Sequence, residues 1–566
     1  MRKIDARFFI IGGTSVVLAY LVLVPLTFLL WGSFHSSPLE AKASFTLKNY
    51  FAAYGDPKFY RLFWNSFLYA GGTCIVALFL GTSLAWVYER TNAPGKRYFG
   101  IIAIVPFIIP GILSTISWIL LLSPRIGVLN LWLKGIFSLD KPLFNIYSLS
   151  GMIWAEAVHL YPLVFLMMSA AFRSMDMSLE EAATMSGAGM TQTFFRITMP
   201  LLRPALFSTL LIMFIRTLEA FEVPALVGLP ANIDVFTTQI YLAVHEFPPN
   251  FGLAGALAVT LLFLSGMGVY LYRRATRHEK MFATVTGKGF RPRLIDLGRF
   301  RYGISVLCFL FFSVTIGLPL FVLLWSSLVS FYEAPHFKAL SRLTIRNYKF
   351  IFGYPHALVA FKNSFFLMFL TPTITMLVTS VIAWITVKSK FKGRGVLDFL
   401  AFLPIAFPGI VLGVSLLYVY LLLPVPIYGT IWILLVAYIT KYLPYGIRTT
   451  GSTIIQIHQE LEEAAAISGA AWGVTFRKIL LPLMMPGLLA GWIYIAMVSL
   501  RELSTSILLY SSGSEVLSII VFDLWESGRY PALCALGIIM IVLLTVLAFG
   551  VAKLGGKMGI KREVWS

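Results

Sequence analysis

Long apolar stretches dominate this sequence, and they constrain its fold more than any other feature. Apolar residues make up 58% of the 566 positions and charged residues only 12%. Many of the stretches reach the roughly 20 residues that cross a bilayer as a helix. Backbone amides and carbonyls find no partners in hydrocarbon, so such a stretch must satisfy them within its own helix. The sequence therefore predicts an all-α polytopic membrane protein with about 12 transmembrane helices.

The predicted spans form two sets of six. The first set covers residues 8–31, 62–88, 99–122, 149–172, 201–223 and 251–272. The second set covers residues 302–328, 361–387, 396–422, 428–446, 483–508 and 532–551. The first stretch is longer than the core of a signal peptide and lacks a small-residue cleavage site, so we expect it to be a retained span.

The two sets are related by an internal repeat. Residues 46–50 (TLKNY) recur at 344–348 (TIRNY), and the dipeptide at 110–111 (PG) recurs at 408–409, in both cases 298 positions later. We therefore divide the chain into a first half of six spans, 1–272, a basic connector, 273–301, and a second half of six spans, 302–566. Six is an even number, so both halves insert the same way up as a parallel repeat.

Basic residues predict the orientation of the spans. The connector carries nine of them: Arg273, Arg274, Arg277, Lys280, Lys288, Arg291, Arg293, Arg299 and Arg301. Because cytoplasmic loops are enriched in Lys and Arg, this connector and both chain termini are expected in the cytoplasm. The net charge of +20 is thus explained by topology, with membrane lipid as the anionic partner and no nucleic acid.

A polar loop is duplicated among the apolar stretches. Residues 180–188 (EEAATMSGA) match 462–470 (EEAAAISGA), 282 positions later, and Pro200 and Pro204 recur at the same displacement. A short helix is expected to begin at Ser178 and to end at Gly187 in a left-handed conformation, followed by a second helix over 190–199. The topology places both copies in the cytoplasm. Loops between spans vary freely unless something binds them, so the repeat indicates two copies of one docking surface.

This pattern of Glu-Ala-Ala, glycine and then proline before a span resembles the cytoplasmic loop of permease subunits of binding-protein-dependent ABC importers with the type I fold. The resemblance covers essentially the whole chain as two fused permease halves. It implies that the loops couple to an ATPase through Glu180, Glu181, Ala182, Ala183, Gly187, Pro200, Glu462, Glu463, Ala464, Ala465, Gly469 and Pro482. Residues 216–224 (RTLEAFEVP) and 500–504 (LRELS) look most like the ferric-iron branch of these importers.

The resemblance also implies partners and a location. It implies two copies of an ABC ATPase subunit, a periplasmic or surface-tethered substrate-binding protein, and a place in the inner membrane of a bacterium. The sequence contains no G-x-x-x-x-G-K-[ST] motif. We therefore expect a permease that is not itself an enzyme and binds no cofactor, with ATP used by the partner subunit.

Five charged residues in or beside the spans are candidates for a polar translocation path: Arg216, Glu219, Glu222, Arg501 and Glu502. Charges inside a membrane are expensive and usually functional. The alternative is structural, an Arg216 to Glu219 ion pair that holds helices together. Glu156 and His159 are further intramembrane polar residues, but the sequence assigns no set of metal ligands.

Other functions remain open at this stage. Importers of thiamine, polyamine, phosphonate or sulfate use the same frame, so the cargo is ferric iron by resemblance only. An ion-coupled secondary transporter of twelve spans would also show parallel repeats, and dependence on ATP separates it from an ABC permease. An intramembrane enzyme is disfavoured because no H-E-x-x-H motif or comparable catalytic arrangement occurs in the spans.

Overall fold

The computed structural model describes residues 6–36, 44–175, 178–276, 294–389 and 391–557. Within these ranges the secondary structure is helical apart from two isolated β-bridges, one joining His35 to Phe45 and one joining Thr91 to Ile295. The predicted all-α class is confirmed. Most of the predicted basic connector, residues 277–293, lies outside the described residues.

The first part of the chain contains the following α-helices: α1 (Ala6–Ser33), α2 (Lys48–Gly55), α3 (Pro57–Arg90), α4 (Lys96–Ile102), α5 (Gly111–Leu122), α6 (Val128–Phe137), α7 (Leu149–Ser174), α8 (Ser178–Met185), α9 (Met190–Thr193), α10 (Met199–Leu218), α11 (Phe236–His245) and α12 (Phe251–Thr276). The 3-10 helices here are Val105–Phe107 and Leu229–Ala231, and the π-helical turns are Phe194–Thr198 and Pro224–Gly228.

The second part contains a corresponding series: α13 (Phe300–Phe312), α14 (Leu318–Ser327), α15 (Arg346–Gly353), α16 (Pro355–Val387), α17 (Arg394–Phe402), α18 (Gly409–Leu422), α19 (Ile431–Ile455), α20 (Glu460–Ile467), α21 (Trp472–Thr475), α22 (Leu481–Leu500), α23 (Leu517–Glu526) and α24 (Tyr530–Lys557). The 3-10 helices here are Phe337–Arg342, Leu403–Ala406 and Ser506–Leu508, and the π-helical turns are Ser313–Gly317 and Phe476–Leu480.

The membrane spans agree with the sequence prediction. In the described part of the chain, nine helices are long and apolar enough to cross a membrane, and two bent pairs raise the number to 11. The predicted span at 428–446 falls on α19, which extends to Ile455 and is long enough to cross a membrane but is not one of the nine. Its repeat partner α7 is one of the nine. The chain is thus a polytopic protein with two repeated sets of spans.

Two predicted spans are broken in the middle. Residues 99–122 were expected as one helix, but the helical axis bends by 99° between Lys96–Phe107 and Gly111–Leu122. The span at 396–422 bends by 110° between Arg394–Ala406 and Gly409–Leu422. Proline has no amide hydrogen and disfavours the helical conformation at the residue before it. Pro110 and Pro408 therefore end one helical segment and precede the next, which begins at the following glycine.

The helices form two compact units. The first unit comprises Met1–Pro57, Gln239–Leu262 and Arg346–Ser566. In it the long helix α16 packs against α19 and α22, and the apolar α1 packs against α17 and α18. A span from the beginning of the chain is therefore part of the same core as spans of the second half.

The second unit comprises Lys58–Thr238 and Phe263–Ile345. In it α7 packs against α5 and α10, and α14 packs against α5. This unit thus includes a span, α14, that follows the connector. The grouping of helices into units differs from the division at residues 272 and 302, which stays a prediction about the sequence repeat.

The duplicated loops have identical secondary structure. Helices α8, α9 and α10 begin and end 282 positions before α20, α21 and α22, and the intervening π-helical turns obey the same displacement. The predicted short helix begins at Ser178, and the predicted second helix runs from Met190 through the π-helical turn into α10. The repeat in the amino-acid sequence is therefore also a repeat of local conformation.

Candidate functional site

Each duplicated loop is a helix, a tight turn and a second helix that continues into a span. Gly187 follows α8 with a φ of +83°, and Gly469 follows α20 with a φ of +78°. The amide of Gly187 donates to Thr184 O, and the amide of Ala188 donates to Ala183 O, both at 3.0 Å. Gly469 and Ala470 make the same two bonds to the end of α20. This is the Schellman arrangement, in which a left-handed glycine ends the helix.

The outward side of each loop helix combines carboxylates with exposed apolar side chains. Glu181 and Glu463 are exposed, as are the small side chains of Ala182 and Ala464. At the ends of the helices, Met185 is 90% exposed and its repeat counterpart Ile467 is 88% exposed. One exposed apolar side chain is ordinary on a protein surface, but the same exposed apolar position in two repeat-related loops indicates a surface that another protein covers. The same pairing occurs at both loops.

The first acidic residue of each pair, Glu180 or Glu462, lies on the inward side. Glu180 is buried and accepts a hydrogen bond from Thr198. Glu462 is half-buried and accepts a hydrogen bond from Trp384. The sequence grouped Glu180 with Glu181 and Glu462 with Glu463 as coupling residues, whereas the structure turns the members of each pair in different directions.

A buried ion pair lies within the first unit, near the bend between α17 and α18. Lys441 Nζ on α19 is 2.5 Å from Glu502 Oε1, just beyond the end of α22. Oε1 also accepts from the amide and the hydroxyl of Thr505, at 3.1 and 3.0 Å. Oε2 accepts from the Tyr442 hydroxyl at 2.8 Å. Both oxygens of the carboxylate are therefore satisfied, as a buried charge requires.

A related polar cluster lies within the second unit, near the bend before α5. The Tyr69 hydroxyl on α3 donates to Glu156 Oε2 on α7 at 3.0 Å, and both residues are buried. A Cβ atom on Gly111 would lie 2.2 Å from Glu222 Oε2 and 3.4 Å from His159 Nε2. Glu222 and His159 therefore occupy the space that a side chain on the first residue of α5 would take.

The two clusters are built at repeat-related positions. Gly409, 298 positions after Gly111, begins α18, and a Cβ atom there would lie 2.7 Å from Lys441 Nζ. Lys441 itself is 282 positions after His159. Each broken helix thus starts against a titratable residue of the fourth span of its half. The cluster beside α5 has a histidine and two glutamates, whereas the cluster beside α18 has a lysine and one enclosed glutamate.

Two segments of the chain match a known family: residues 77–274 and 380–557 each match the binding-protein-dependent transport system inner membrane component. Together these segments cover more than half of the chain, and each contains one of the duplicated loops. The chain belongs to this family. It is a multi-pass permease of the inner membrane with the family's unit present twice.

Curated permeases resemble the chain along most of its length. The ferric transport system permease protein FbpB of Actinobacillus pleuropneumoniae is 28% identical over 86% of this chain and 69% of its own. The Fe(3+)-transport system permease protein FbpB 2 of Haemophilus influenzae is 25% identical over 88% of this chain and 90% of its own. The spermidine/putrescine permease PotC of Haemophilus influenzae is 30% identical, but over only 35% of this chain and 76% of its own.

The structure places the predicted path residues of this permease at the ends of two spans. Arg216 lies in the last turn of α10, and Glu219 is the residue after that helix. Arg501 directly follows α22 and is half-buried. Glu502 is enclosed by donors, as described above, and Glu222 faces Gly111. A role in translocation and the Arg216 to Glu219 ion pair both stay predictions.

Sequence reasoning missed three residues that contact the buried glutamates. Tyr69 donates to Glu156, and Lys441 and Tyr442 contact Glu502. Lys441 was visible as a lone cation in a predicted span, 282 positions after His159, and that correspondence could have identified it. The tyrosines carried no signal, because tyrosine is common in apolar helices and only the tertiary contact reveals its bond. Among the described residues, no three or more His, Cys, Asp or Glu side chains are grouped so that they could hold a metal ion.

Proposed function

We propose that this permease is the membrane component of an ATP-driven importer that moves ferric iron into the bacterial cytoplasm. A periplasmic or surface-tethered binding protein would deliver the iron, and two copies of a separate ATPase subunit would supply the energy. The chain itself would bind no cofactor and hydrolyse nothing, in keeping with the missing P-loop motif. Both termini would lie in the cytoplasm.

The observation that carries the ATP coupling is the pair of identical loop helices. Both expose a glutamate, an alanine and a large apolar residue, and both end at a left-handed glycine. Two equal docking surfaces suit two copies of one ATPase subunit. Binding of ATP would draw the subunits together, and the docked helices would move with them and switch the spans between inward and outward openings.

The choice of ferric iron as cargo is supported by how much of the chain the relatives cover. The relatives named for ferric transport extend over both repeats, whereas the relative named for spermidine and putrescine aligns with only 35% of the chain, less than one half of it. Polyamine is therefore the second candidate cargo. The ligand that the binding protein retains through purification distinguishes the two, since iron and a polyamine are identified directly by elemental analysis and mass spectrometry.

Replacing Gly187 and Gly469 together by Asp tests the docking loops. Aspartate is strained at a φ near +80° and adds a charge beside the docking surface, so uptake of radioactive ferric ion should fall by at least tenfold while the protein still inserts. No side chain lies within 4 Å of either glycine's missing Cβ, so crowding within the permease is not the cause. Uptake equal to that of the unmodified permease would refute docking at these loops.

We also propose that Glu219 and Glu222 line the cation path. Replacing both by Gln keeps their size and one accepting oxygen each but removes the negative charge that attracts a trivalent cation. Uptake should fall severalfold, and the ATPase should still co-purify with the permease. Loss of folded protein in the double variant, with no separable loss of uptake, would instead support the structural ion pair between Arg216 and Glu219.

A further inference from the structure

The two glutamates at the start of each loop helix have different surroundings. Glu181 and Glu463 are exposed, on the side that the proposed ATPase would cover. Glu180 is only 8% exposed, and Glu462 is half-buried. A carboxylate is rarely placed against the protein interior without a partner that compensates its desolvation. The partners of Glu180 and Glu462 therefore indicate what these two residues do.

In the second unit, Glu180 lies against a buried cation. Arg90, the last residue of α3, is 2% exposed, and its Nη1 is 3.8 Å from Glu180 Oε2. Thr198 Oγ1, just before α10, donates to Glu180 Oε1 at 2.6 Å. Arg90 Nη2 also donates to Phe172 O, near the end of α7, at 3.0 Å. This carboxylate thus connects α8 with the cytoplasmic ends of three spans.

In the first unit, the corresponding carboxylate is held by a neutral donor. Trp384 Nε1 on α16 donates to Glu462 Oε2 at 2.9 Å, and the ring of Trp384 packs 4.6 Å from that of Trp472 on α21. Lys388, 298 positions after Arg90, bonds Ile457 O after α19. Among the described residues, no cation pairs with Glu462.

We propose that Glu180 and Glu462 are positioning residues that fasten the two loop helices to the transmembrane helices, the first through a buried charge and the second through an indole hydrogen bond. The inference rests on the proposed function, because a loop helix transmits motion only if it is held on both sides. Its outer side would be held by the ATPase. Its inner side is held by α3 in one repeat and by α16 in the other.

The different partners lead to different responses when the charge is removed. Glu180→Gln leaves Arg90 buried without its counter-charge, which is costly even though the amide still accepts from Thr198. Glu462→Gln keeps an oxygen that accepts from Trp384, so little is lost. In the second repeat, the substitution that removes the partner of the carboxylate is Trp384→Phe. It removes the hydrogen-bond donor but keeps an aromatic ring beside Trp472.

Amide hydrogen exchange of the purified full-length permease in lipid nanodiscs tests whether these carboxylates hold the loop helices in place, without the ATPase or the binding protein. Glu180→Gln should speed exchange in α8 about tenfold, whereas Glu462→Gln should change α20 by less than about twofold. Trp384→Phe should speed exchange in α20 severalfold. The double variant Arg90→Met with Glu180→Gln should recover part of the protection of α8, because no unpaired charge remains buried.

Transport assays with the ATPase and binding-protein partners test the coupling role. In Glu180→Gln the ATPase should still co-purify, but more ATP should be hydrolysed for each radioactive ferric ion imported, by about fivefold or more. The matched variant Glu181→Gln, one residue along the same helix, should show the opposite pattern, with weaker co-purification and unchanged exchange in α8.

Unchanged amide exchange in α8 of Glu180→Gln would overturn the inference. It would also be overturned if Glu462→Gln increased exchange in α20 as much as Glu180→Gln increases it in α8. An unchanged ratio of ATP hydrolysed to ferric ion imported in Glu180→Gln would also overturn it. Failure of the unmodified permease to co-purify with any ATPase is a different result. It would refute the proposed function, and the exchange experiment would still test whether these two carboxylates fasten the loop helices.

Discussion

Glu502 receives hydrogen bonds from the amide and hydroxyl of Thr505 and from Tyr442, and it pairs with Lys441. Taking two charges out of water costs several kcal/mol for each ion, and their attraction repays this only when further hydrogen bonds complete the site. Here the further bonds come from Thr505, three residues after Glu502, and from Tyr442, the residue after Lys441. At the residue scale, therefore, the acid in the second repeat is enclosed and its negative charge is compensated.

Replacing Lys441 by Met should destabilise the permease by about 3–5 kcal/mol, because Glu502 would remain buried without a counter-charge. The double variant Lys441→Met with Glu502→Gln should recover much of that loss, since no charge is left unpaired. Unfolding by denaturant in lipid bilayers measures both. As a control, Lys392→Met changes an exposed lysine and should alter stability by less than about 0.5 kcal/mol. A double variant that is no more stable than Lys441→Met alone would contradict the ion pair.

At the element scale, each broken helix joins a proline-induced bend to a polar cluster. Helices α5 and α18 both begin at the glycine after the proline, and the absence of a side chain there admits Glu222 beside α5 and Lys441 beside α18. The bend also leaves the first amides of the new helix without acceptors in that helix, which favours a negative group near that end. Beside α5 this group is Glu222, and beside α18 it is the Glu502 carboxylate that pairs with Lys441. A proline-induced bend next to a polar cluster therefore occurs once in each repeat.

Alanine at these two glycines should give unequal effects. At Gly111 the added methyl group would lie 2.2 Å from Glu222 Oε2, the mobile end of a side chain that can move aside. At Gly409 it would also lie 2.9 Å from Ser504 Cβ, which moves only with the backbone. Gly409→Ala should therefore reduce the thermal unfolding temperature more than Gly111→Ala.

A control for these variants is Gly395→Ala in α17. No atom lies within 4 Å of the position of its missing Cβ, so the substitution should stabilise the helix by about 0.5–1 kcal/mol. Equal destabilisation by Gly111→Ala and Gly409→Ala would show that the neighbouring side chains do not determine the cost.

At the scale of the whole molecule, the parallel repeat requires both loop helices to face the same side of the membrane. All three native cysteines, Cys74, Cys308 and Cys534, are buried, so a single introduced cysteine can be labelled selectively. Cysteines at Glu181 and Glu463 should react with a membrane-impermeant maleimide only after the cells are permeabilised. The exposed Glu246 lies between the predicted spans 201–223 and 251–272, in a loop that the predicted topology places outside the cytoplasm, so a cysteine there should react in intact cells. Labelling of position 463 from outside would contradict the topology.

The sequence by itself determined the class, the approximate number of spans, the repeat and the position of the loop helices. Hydropathy over a window, a left-handed glycine after a short helix and a repeat at fixed displacement are local or one-dimensional signals. They predicted α8 closely, because the conformation of a short capped helix depends on neighbouring residues, and the repeat predicted a matching helix in the second loop without fixing where it begins.

Only the tertiary structure decided which side each glutamate faces and what it contacts. Glu180 and Glu181 are adjacent and chemically identical in the sequence, and their surroundings differ because Arg90 and Thr198 contact Glu180, whereas Glu181 is exposed. Lys441 and Glu502 are far apart in the chain, and α1 joins a core built mainly from the second half. Such contacts depend on how distant helices pack, and the order of residues along one helix carries no record of that packing.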